Sequence, residues 1–173
     1  MQNIKTILLP VFLGLFLGNS HAASCVLKNL PIRLVNPQKK DIFHGETSNL
    51  EIRFTSVADD ADVDVFPEPP LLITQKQSNS QCNINGGIWV RKDVYLSQDE
   101  QVLVTLEYSG SNDFLMFYKT SDCSKIQEID ISYAKWKIRD ATITVMPEIE
   151  GKKSGKSKAR IYQLDAACKT KAP

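Results

Sequence analysis

Apolar residues recur at every second position in short runs along this chain, and this pattern constrains the fold more than any other feature. Leu50, Ile52 and Phe54 alternate with polar neighbours, and Val102, Val104 and Leu106 are also spaced two residues apart. A period of two places apolar side chains on one face of a β-strand, whereas a helix requires a period of about 3.6. The sequence therefore predicts a protein built mainly of strands.

Turn-forming residues separate these runs. The stretch Pro-Glu-Pro-Pro at 67–70 cannot lie inside a helix, and residues 109–113 are rich in types that favour tight turns. The segment 124–140 fits both a helical face and a strand, and the regularity described next favours strands. Further strands are predicted at 62–66, 71–74, 113–120, 143–145 and 160–164. The predicted fold is a single antiparallel all-β domain with a sandwich-like arrangement.

An ungapped alignment of Cys82 with Cys123 superposes several apolar and turn residues. The pairs are Ile88 with Ile129, Val90 with Ile131, Tyr95 with Trp136, Asp99 with Asp140, Val102 with Ile143 and Val104 with Val145. This regularity predicts blade-like hairpin repeats that begin near residues 71, 113 and 159. An incomplete β-propeller is the alternative architecture. Evenly spaced hairpins of an ordinary sandwich would also produce such matches by chance.

Residues 1–22 have the three parts of a secretory signal peptide. Lys5 supplies the positive charge, residues 7–18 are apolar, and Ala22 ends a small-residue cleavage site. The apolar part is too short to cross the roughly 30 Å hydrocarbon core of a bilayer as a helix. The mature chain is therefore predicted to be a single domain of residues 23–173, located in the periplasm or secreted.

The charge of the chain is balanced. The full sequence has 21 basic and 20 acidic residues, and removal of the signal peptide with Lys5 leaves equal numbers of the two. Nucleic acid is therefore excluded as a partner, because phosphate binding requires a surplus of basic residues. No second apolar run approaches the length of a transmembrane helix, so no membrane span is predicted after signal removal.

The four cysteines, Cys25, Cys82, Cys123 and Cys168, lie far apart in the sequence. Zinc sites and redox motifs need closely spaced pairs, so neither a metal nor a cofactor is predicted. An even number of cysteines in an exported protein predicts two disulfides, and three pairings are open. The alternative for Cys25 is a lipid anchor, because the small residues 22–24 precede it, but lipidation would leave an odd number of cysteines.

Two polar clusters invite a functional interpretation. His44 is the single histidine of the mature chain and has Asp41 and Glu46 nearby. No nucleophile motif such as Gly-x-Ser-x-Gly accompanies it, so we predict a non-catalytic histidine in a loop marked by Gly45. The acids in 60–64 match the opening of a calcium loop, but the glycine and glutamate required later are absent. We predict that these acids form the solvent face of a strand.

The segment 151–160 is the strongest exposed recognition candidate, because cations alternate there with glycine and serine. Its basic residues are Lys152, Lys153, Lys156, Lys158 and Arg160. Trp89 follows the flexible stretch Asn85-Gly-Gly87, where an exposed indole could stack on a carbohydrate. We name these six residues as speculative partner contacts. The alternatives are a solvated hairpin tip for the segment and core packing for Trp89.

No motif in the sequence indicates catalysis, so the predicted function is that of an exported, non-catalytic binding protein. An inhibitor, an immunity protein or an accessory subunit would each engage another envelope or secreted protein. Two alternatives come from other classes. One is a secreted hydrolase whose carboxylates converge only in the fold. The other is a surface-assembly or carbohydrate-binding subunit.

Overall fold

The computed structural model describes residues 24–67, 69–148 and 158–171. Within these ranges the regular secondary structure consists of β-strands alone. All paired strands run antiparallel. The predicted antiparallel all-β class is therefore confirmed. The signal peptide predicted at 1–22 lies outside the described residues.

The strands form three sheets. The N-terminal sheet contains β2 (Arg33–Asn36), β3 (Lys39–Glu46), β4 (Leu50–Thr55), β6 (Leu71–Gln75) and β7 (Ser80–Ile84), in that order. The central sheet contains β1 (Leu27–Asn29), β5 (Val65–Pro67), β8 (Ile88–Ser97), β9 (Val102–Ser109), β10 (Asn112–Lys119) and β11 (Lys125–Asp130). Its order is β1-β8-β9-β10-β11, and β5 also pairs with β8. The C-terminal sheet contains β12 (Ala134–Arg139), β13 (Thr142–Pro147) and β14 (Arg160–Gln163), in that order.

The central sheet is buried on both faces, which is clearest in β9. All residues of β9 from 102 to 107 are buried. Val104 belongs to an apolar cluster shared with the C-terminal sheet, while its neighbour Leu103 belongs to a cluster shared with the N-terminal sheet. A strand covered on both faces needs apolar residues at consecutive positions rather than at alternate ones. The molecule is therefore a three-layer, sandwich-like stack of sheets.

Aromatic rings fill the space between the N-terminal and central sheets. The ring centroid of Phe66 lies 5.1 Å from that of Phe43 and 4.9 Å from that of Phe54. Trp89 packs edge-on against Phe54 at 6.3 Å, and all four side chains are at most 1% exposed. Burial of each such ring stabilises the fold by roughly 1.5–3 kcal/mol. This core explains why the apolar positions of β4 alternate so regularly.

The C-terminal sheet buries only one face. Ile143 and Val145 of β13 are fully buried, and Trp136 of β12 contacts Tyr95 of the central sheet edge-on at 6.2 Å. Trp136 lies directly opposite Val145 in the β12–β13 register, so the two side chains share the inner face. The opposite face of this sheet carries alternate, exposed positions.

Each disulfide connects an outer sheet to the central one. Cys82 of β7 is bonded to Cys123, which lies between β10 and β11. Cys25, just before β1, is bonded to Cys168, which follows β14. The predicted disulfides are confirmed, and the structure selects one of the three pairings. The Cys25 sulfur is thereby bonded to the Cys168 sulfur.

Several local predictions need correction. His44 and Gly45 lie within β3 and not in a loop, because Gly45 pairs with Ile52 of β4 and thereby extends the ladder. Residues 60–64 precede β5 and form turns, because the Asp60 side chain accepts a hydrogen bond from the Asp62 backbone N–H instead of leaving the chain extended.

The predicted repeat is not confirmed. The alignment matches hairpins only in part, since Tyr95 and Trp136 both lie in the first strand of a hairpin, β8 and β12. Ile88 and Ile129, by contrast, lie in β8, an inner strand of the central sheet, and in β11, an edge strand of the same sheet. A unit starting near 71 would also begin in the N-terminal sheet and continue into the central one.

Candidate functional site

The structure gives His44 no nucleophile. Its side chain is on the outer face of the N-terminal sheet, where Nδ1 lies 3.8 Å from Glu51 Oε1. Among the described residues, no hydrogen bond joins His44 to a serine, threonine or cysteine. The arrangement is a surface contact between an imidazole and a carboxylate. A base needs a positioned proton donor to act as a catalyst, and this site lacks one in the described part of the chain.

The acidic triplet does not converge on a cation site. No cluster of three potential metal ligands occurs within the described ranges. Asp62 and Asp64 instead line an open cleft of about 550 Å³ together with Asn29, Leu30, Pro31, Ile32, Arg91 and Lys92. The Arg91 guanidinium donates hydrogen bonds to the carbonyl oxygens of Ile32, Ala61 and Val63. Arg91 therefore connects β8 to the segments around Ile32 and 61–63 that border the cleft.

The predicted partner contact at Trp89 is wrong. The Trp89 side chain is 0% exposed, because it lies between the N-terminal and central sheets. A Cβ added to Gly87 would lie 2.5 Å from the Trp89 ring, so the glycine provides the space that the indole occupies. The glycine stretch before Trp89 therefore serves packing and does not expose the ring.

A buried carboxyl group lies beside this tryptophan. Glu107 is directly opposite Trp89 in the β8–β9 register, and Thr105 Oγ1 donates a hydrogen bond of 2.6 Å to Glu107 Oε1. The Trp89 indole N–H approaches the carboxylate without reaching full hydrogen-bond geometry. Burial raises the pKa of Glu107, and its contacts with Thr105, Tyr118 and Trp89 lower the pKa by less. Glu107 is the one buried carboxylate among the described residues, so no paired-acid site is formed there.

The basic segment is only partly described. Lys152, Lys153 and Lys156 lie outside the described residues. Lys158 and Arg160 are exposed, and Arg160 donates a hydrogen bond of 2.9 Å to the Asp130 carbonyl oxygen. The role of the whole segment in partner binding stays a prediction.

Positive charge is concentrated on the outer side of the C-terminal sheet. The contact residues predicted from the sequence do not include this surface. We call this surface the basic face. Its members are Lys135, Lys137 and Arg139 on β12, Thr142, Thr144 and Met146 on β13, and Ile161 and Gln163 on β14. The register places Lys137, Thr144 and Ile161 in one row across the three strands. Cations therefore line the β12 edge, two hydroxyl groups and Met146 lie on the middle strand, and Ile161 and Gln163 lie on β14.

Exposed apolar side chains accumulate on this same face. Met146 is 41% exposed and Ile161 is 63% exposed. They lie on adjacent strands, at positions two residues apart in the β13–β14 register. Two neighbouring exposed apolar side chains distinguish the basic face from an ordinary solvated surface, on which such residues are scattered singly.

A sequence signal for the basic face existed. In Ala134-Lys-Trp-Lys-Ile-Arg139 the cations alternate with inward-facing residues, which is the period of two expected for a strand with one exposed face. Alternation alone does not show which side of the strand is covered, so it does not distinguish a shared binding surface from an ordinary solvated face.

Comparisons with known proteins give a consistent result. The family model described as "Immune protein Tsi1" matches residues 25–168, so the matched segment begins and ends at the two cysteines of one disulfide. A protein of Pseudomonas aeruginosa named "Immune protein Tsi1" is 35% identical to this chain over 132 residues. That alignment covers 73% of this chain and 75% of the relative. Within the described ranges, the structure has no helix long and apolar enough to cross a membrane.

Proposed function

The chain belongs to the family described as Immune protein Tsi1, and from this we propose that it is an exported immunity protein that binds a toxin protein and prevents its action on the producing cell. The observation that carries the proposal is the family match, which extends across all three sheets. Binding one partner tightly requires a rigid surface, and the three-layer fold with two disulfides provides one.

The chemistry of the described residues supports binding rather than catalysis. All four cysteines are in disulfides, so no described thiol is available as a nucleophile. Glu107 is buried against Thr105, and His44 faces a carboxylate. We propose that the protein acts by occupying a surface of the toxin and not by modifying it.

We propose the periplasm or the exterior as the compartment. Both disulfides join cysteines that are far apart in the sequence, and each connects two different sheets. Disulfide bonds persist in oxidising compartments. The signal peptide predicted at 1–22 would deliver the chain there. The protein would then bind the toxin in the envelope, before the toxin reaches its target.

The test is a competition between sister cells. Deletion of the gene should make a strain lose to its parent on solid medium, because the parent delivers a toxin against which the deletion strain has no protection. Expression of the full chain should restore survival. Expression of residues 23–173 without the signal peptide should not, because the protein would remain in the cytosol.

Equal survival of the deletion strain and its parent would contradict the immunity function. Rescue by the chain that lacks residues 1–22 would contradict the proposed compartment while leaving the immunity function intact. Parent mutants that no longer outcompete the deletion strain should include ones that lack the toxin, and mapping of these mutations identifies the partner for direct binding measurements.

A further inference from the structure

No described sheet covers the basic face. The inner side of the C-terminal sheet packs on the central sheet, whereas Lys137, Arg139 and Ile161 on its outer side are exposed. The sheet has three strands, so β12 and β14 are both edge strands. A solvent-exposed sheet face beside an unpaired edge strand can bind another chain. In stable proteins such edges are either blocked against pairing or used for binding.

Most of the charge on the basic face has no internal partner. Lys135 pairs with Glu148 at 3.0 Å, and both side chains are more than half exposed, so the pair contributes little stability. Within the described ranges, no carboxylate lies within 4.0 Å of the side-chain nitrogens of Lys137 or Arg139. These two cations are therefore available to an acidic partner.

Edge protection explains only part of the pattern. Lysine on an edge strand discourages pairing with other chains, which accounts for the cations of β12. It does not account for Met146 and Ile161, whose exposure on the same surface costs free energy in an isolated protein. Methionine and arginine are, however, enriched at protein interfaces. Complementary charges at such interfaces determine how the two proteins are oriented relative to each other.

We propose that the basic face is the docking surface for an acidic region of another protein, with Lys137 and Arg139 facing its carboxylates and Met146 and Ile161 packing on its apolar side chains. This inference rests on the proposed function, since the partner would be the toxin. The chemistry requires a partner surface on which several Asp or Glu side chains flank an apolar patch.

The outer face of the N-terminal sheet provides the comparison. Arg33, His44 and Arg53 form one row across β2, β3 and β4, so this face also carries cations. Carboxylates accompany them, however, because Glu51 approaches His44 at 3.8 Å and Glu46 is paired with Lys76 at 2.7 Å. Charge reversal of Arg33 and Arg53 is therefore a matched control with the same change in net charge.

The experiment is photo-crosslinking in living cells that carry the full chain. A photoreactive phenylalanine derivative replaces Thr144, at the centre of the basic face, or His44, at the centre of the comparison face. We expect an adduct with one other protein from position 144 and none of comparable yield from position 44. Mass spectrometry of the adduct should identify a protein with an acidic surface.

Charge variants make the result decisive. Lys137→Glu combined with Arg139→Glu should reduce the adduct at position 144 at least tenfold, whereas Arg33→Glu with Arg53→Glu should leave it within twofold. Lys137→Gln with Arg139→Gln should give a smaller reduction, because it removes attraction without adding repulsion. Thermal unfolding of each purified variant verifies that it folds.

The proposal is overturned by absence of the adduct at position 144, by an adduct that is insensitive to Lys137 and Arg139, by equal losses in the control variant, or by an adduct with a second copy of this chain. The competition assay separates this result from the immunity function. A strain that carries Lys137→Glu and Arg139→Glu but still survives keeps the function and loses the docking surface.

Discussion

Glu107 is a buried residue whose charged form destabilises the folded state. It lies on the side of β9 that faces the N-terminal sheet, among mostly apolar side chains. Its carboxyl group accepts a short hydrogen bond from Thr105, contacts Tyr118 and Trp89, and has little access to water. An ionised carboxylate in such surroundings loses hydration that these contacts do not fully replace. The cost of burial is therefore greatest when Glu107 is charged.

Replacement of Glu107 by Gln should stabilise the protein at alkaline pH. The pKa of Glu107 is raised in the folded state from an ordinary value of 4.5, so the folded state holds its proton to higher pH than the unfolded state does. Stability from this group is complete below the unfolded pKa and is lost as pH rises through the folded pKa. We expect Glu107→Gln to raise the free energy of unfolding at pH 8 by about 0.5–2 kcal/mol.

The measurement is urea unfolding of wild type and Glu107→Gln at pH 8 and at pH 4. The gain should disappear at pH 4, where both states of the wild type are protonated. Glu128→Gln, at an exposed position of β11, should change stability by less than about 0.5 kcal/mol at either pH. A gain for Glu107→Gln that is equal at the two pH values would show that ionisation is not its cause.

At the scale of elements, strands that are buried on one face and strands that are buried on both faces have different sequence patterns. The N-terminal sheet and the C-terminal sheet each bury one face, so β4 and β12 alternate apolar and polar residues. β9 is covered on both faces and is apolar at consecutive positions. Alternation predicted strands in all these regions. It could not predict which strands pair, because the same period of two suits any sheet.

The connection between β7 and β8 depends on packing against Trp89. Gly87→Ala should destabilise the protein by more than about 2 kcal/mol, because the new Cβ would lie 2.5 Å from a ring that is enclosed by both sheets. Urea unfolding provides the measurement. Gly86→Ala is the matched control, since its Cβ would meet no atom within 4 Å but its φ of 78° strains any side chain.

We expect Gly86→Ala to cost about 1 kcal/mol, from backbone strain alone. An equal or greater cost at Gly86 than at Gly87 would show that steric contact with Trp89 does not determine the glycine requirement. From the sequence alone, these glycines precede a tryptophan that could be exposed to a carbohydrate. The structure shows that the group that approaches Gly87 is an internal side chain.

At the scale of the molecule, the two disulfides hold the three layers together. The Cys25–Cys168 bond closes a sequence separation of 143 residues, and the Cys82–Cys123 bond closes one of 41. A crosslink lowers the entropy of the unfolded chain more when its loop is longer, which gives about 5 kcal/mol for the first bond and about 4 kcal/mol for the second. Either loss is a large fraction of the total stability of a typical domain, which is about 5–15 kcal/mol.

We expect Cys25→Ser with Cys168→Ser to lower the free energy of unfolding by more than Cys82→Ser with Cys123→Ser does, as measured by urea unfolding. Amide hydrogen exchange should also increase mainly in β12 to β14 in the first variant and mainly in the N-terminal sheet in the second. The reverse order of stability, or exchange that rises equally in all sheets, would contradict the assignment of one disulfide to each outer layer.

The predicted class of function, which included immunity proteins, is confirmed at the level of the family. Of the residues expected to carry this function, Trp89 is buried, whereas most of the basic segment lies outside the described residues and stays a prediction. The alternating cations of β12 were visible in the sequence. Their significance depended on the burial of the opposite face and on the exposure of Met146 and Ile161 from neighbouring strands.

The sequence by itself determined the strand content, the balanced charge and the presence of two disulfides, because alternation, composition and cysteine number are local or additive properties. Tertiary structure alone decided the disulfide pairing, the double burial of the central sheet, the enclosure of Trp89 and the joining of three strands into one basic face. Each of these depends on which distant segments pack together. Burial energy summed over the whole chain selects that packing, and no short window of sequence contains the sum.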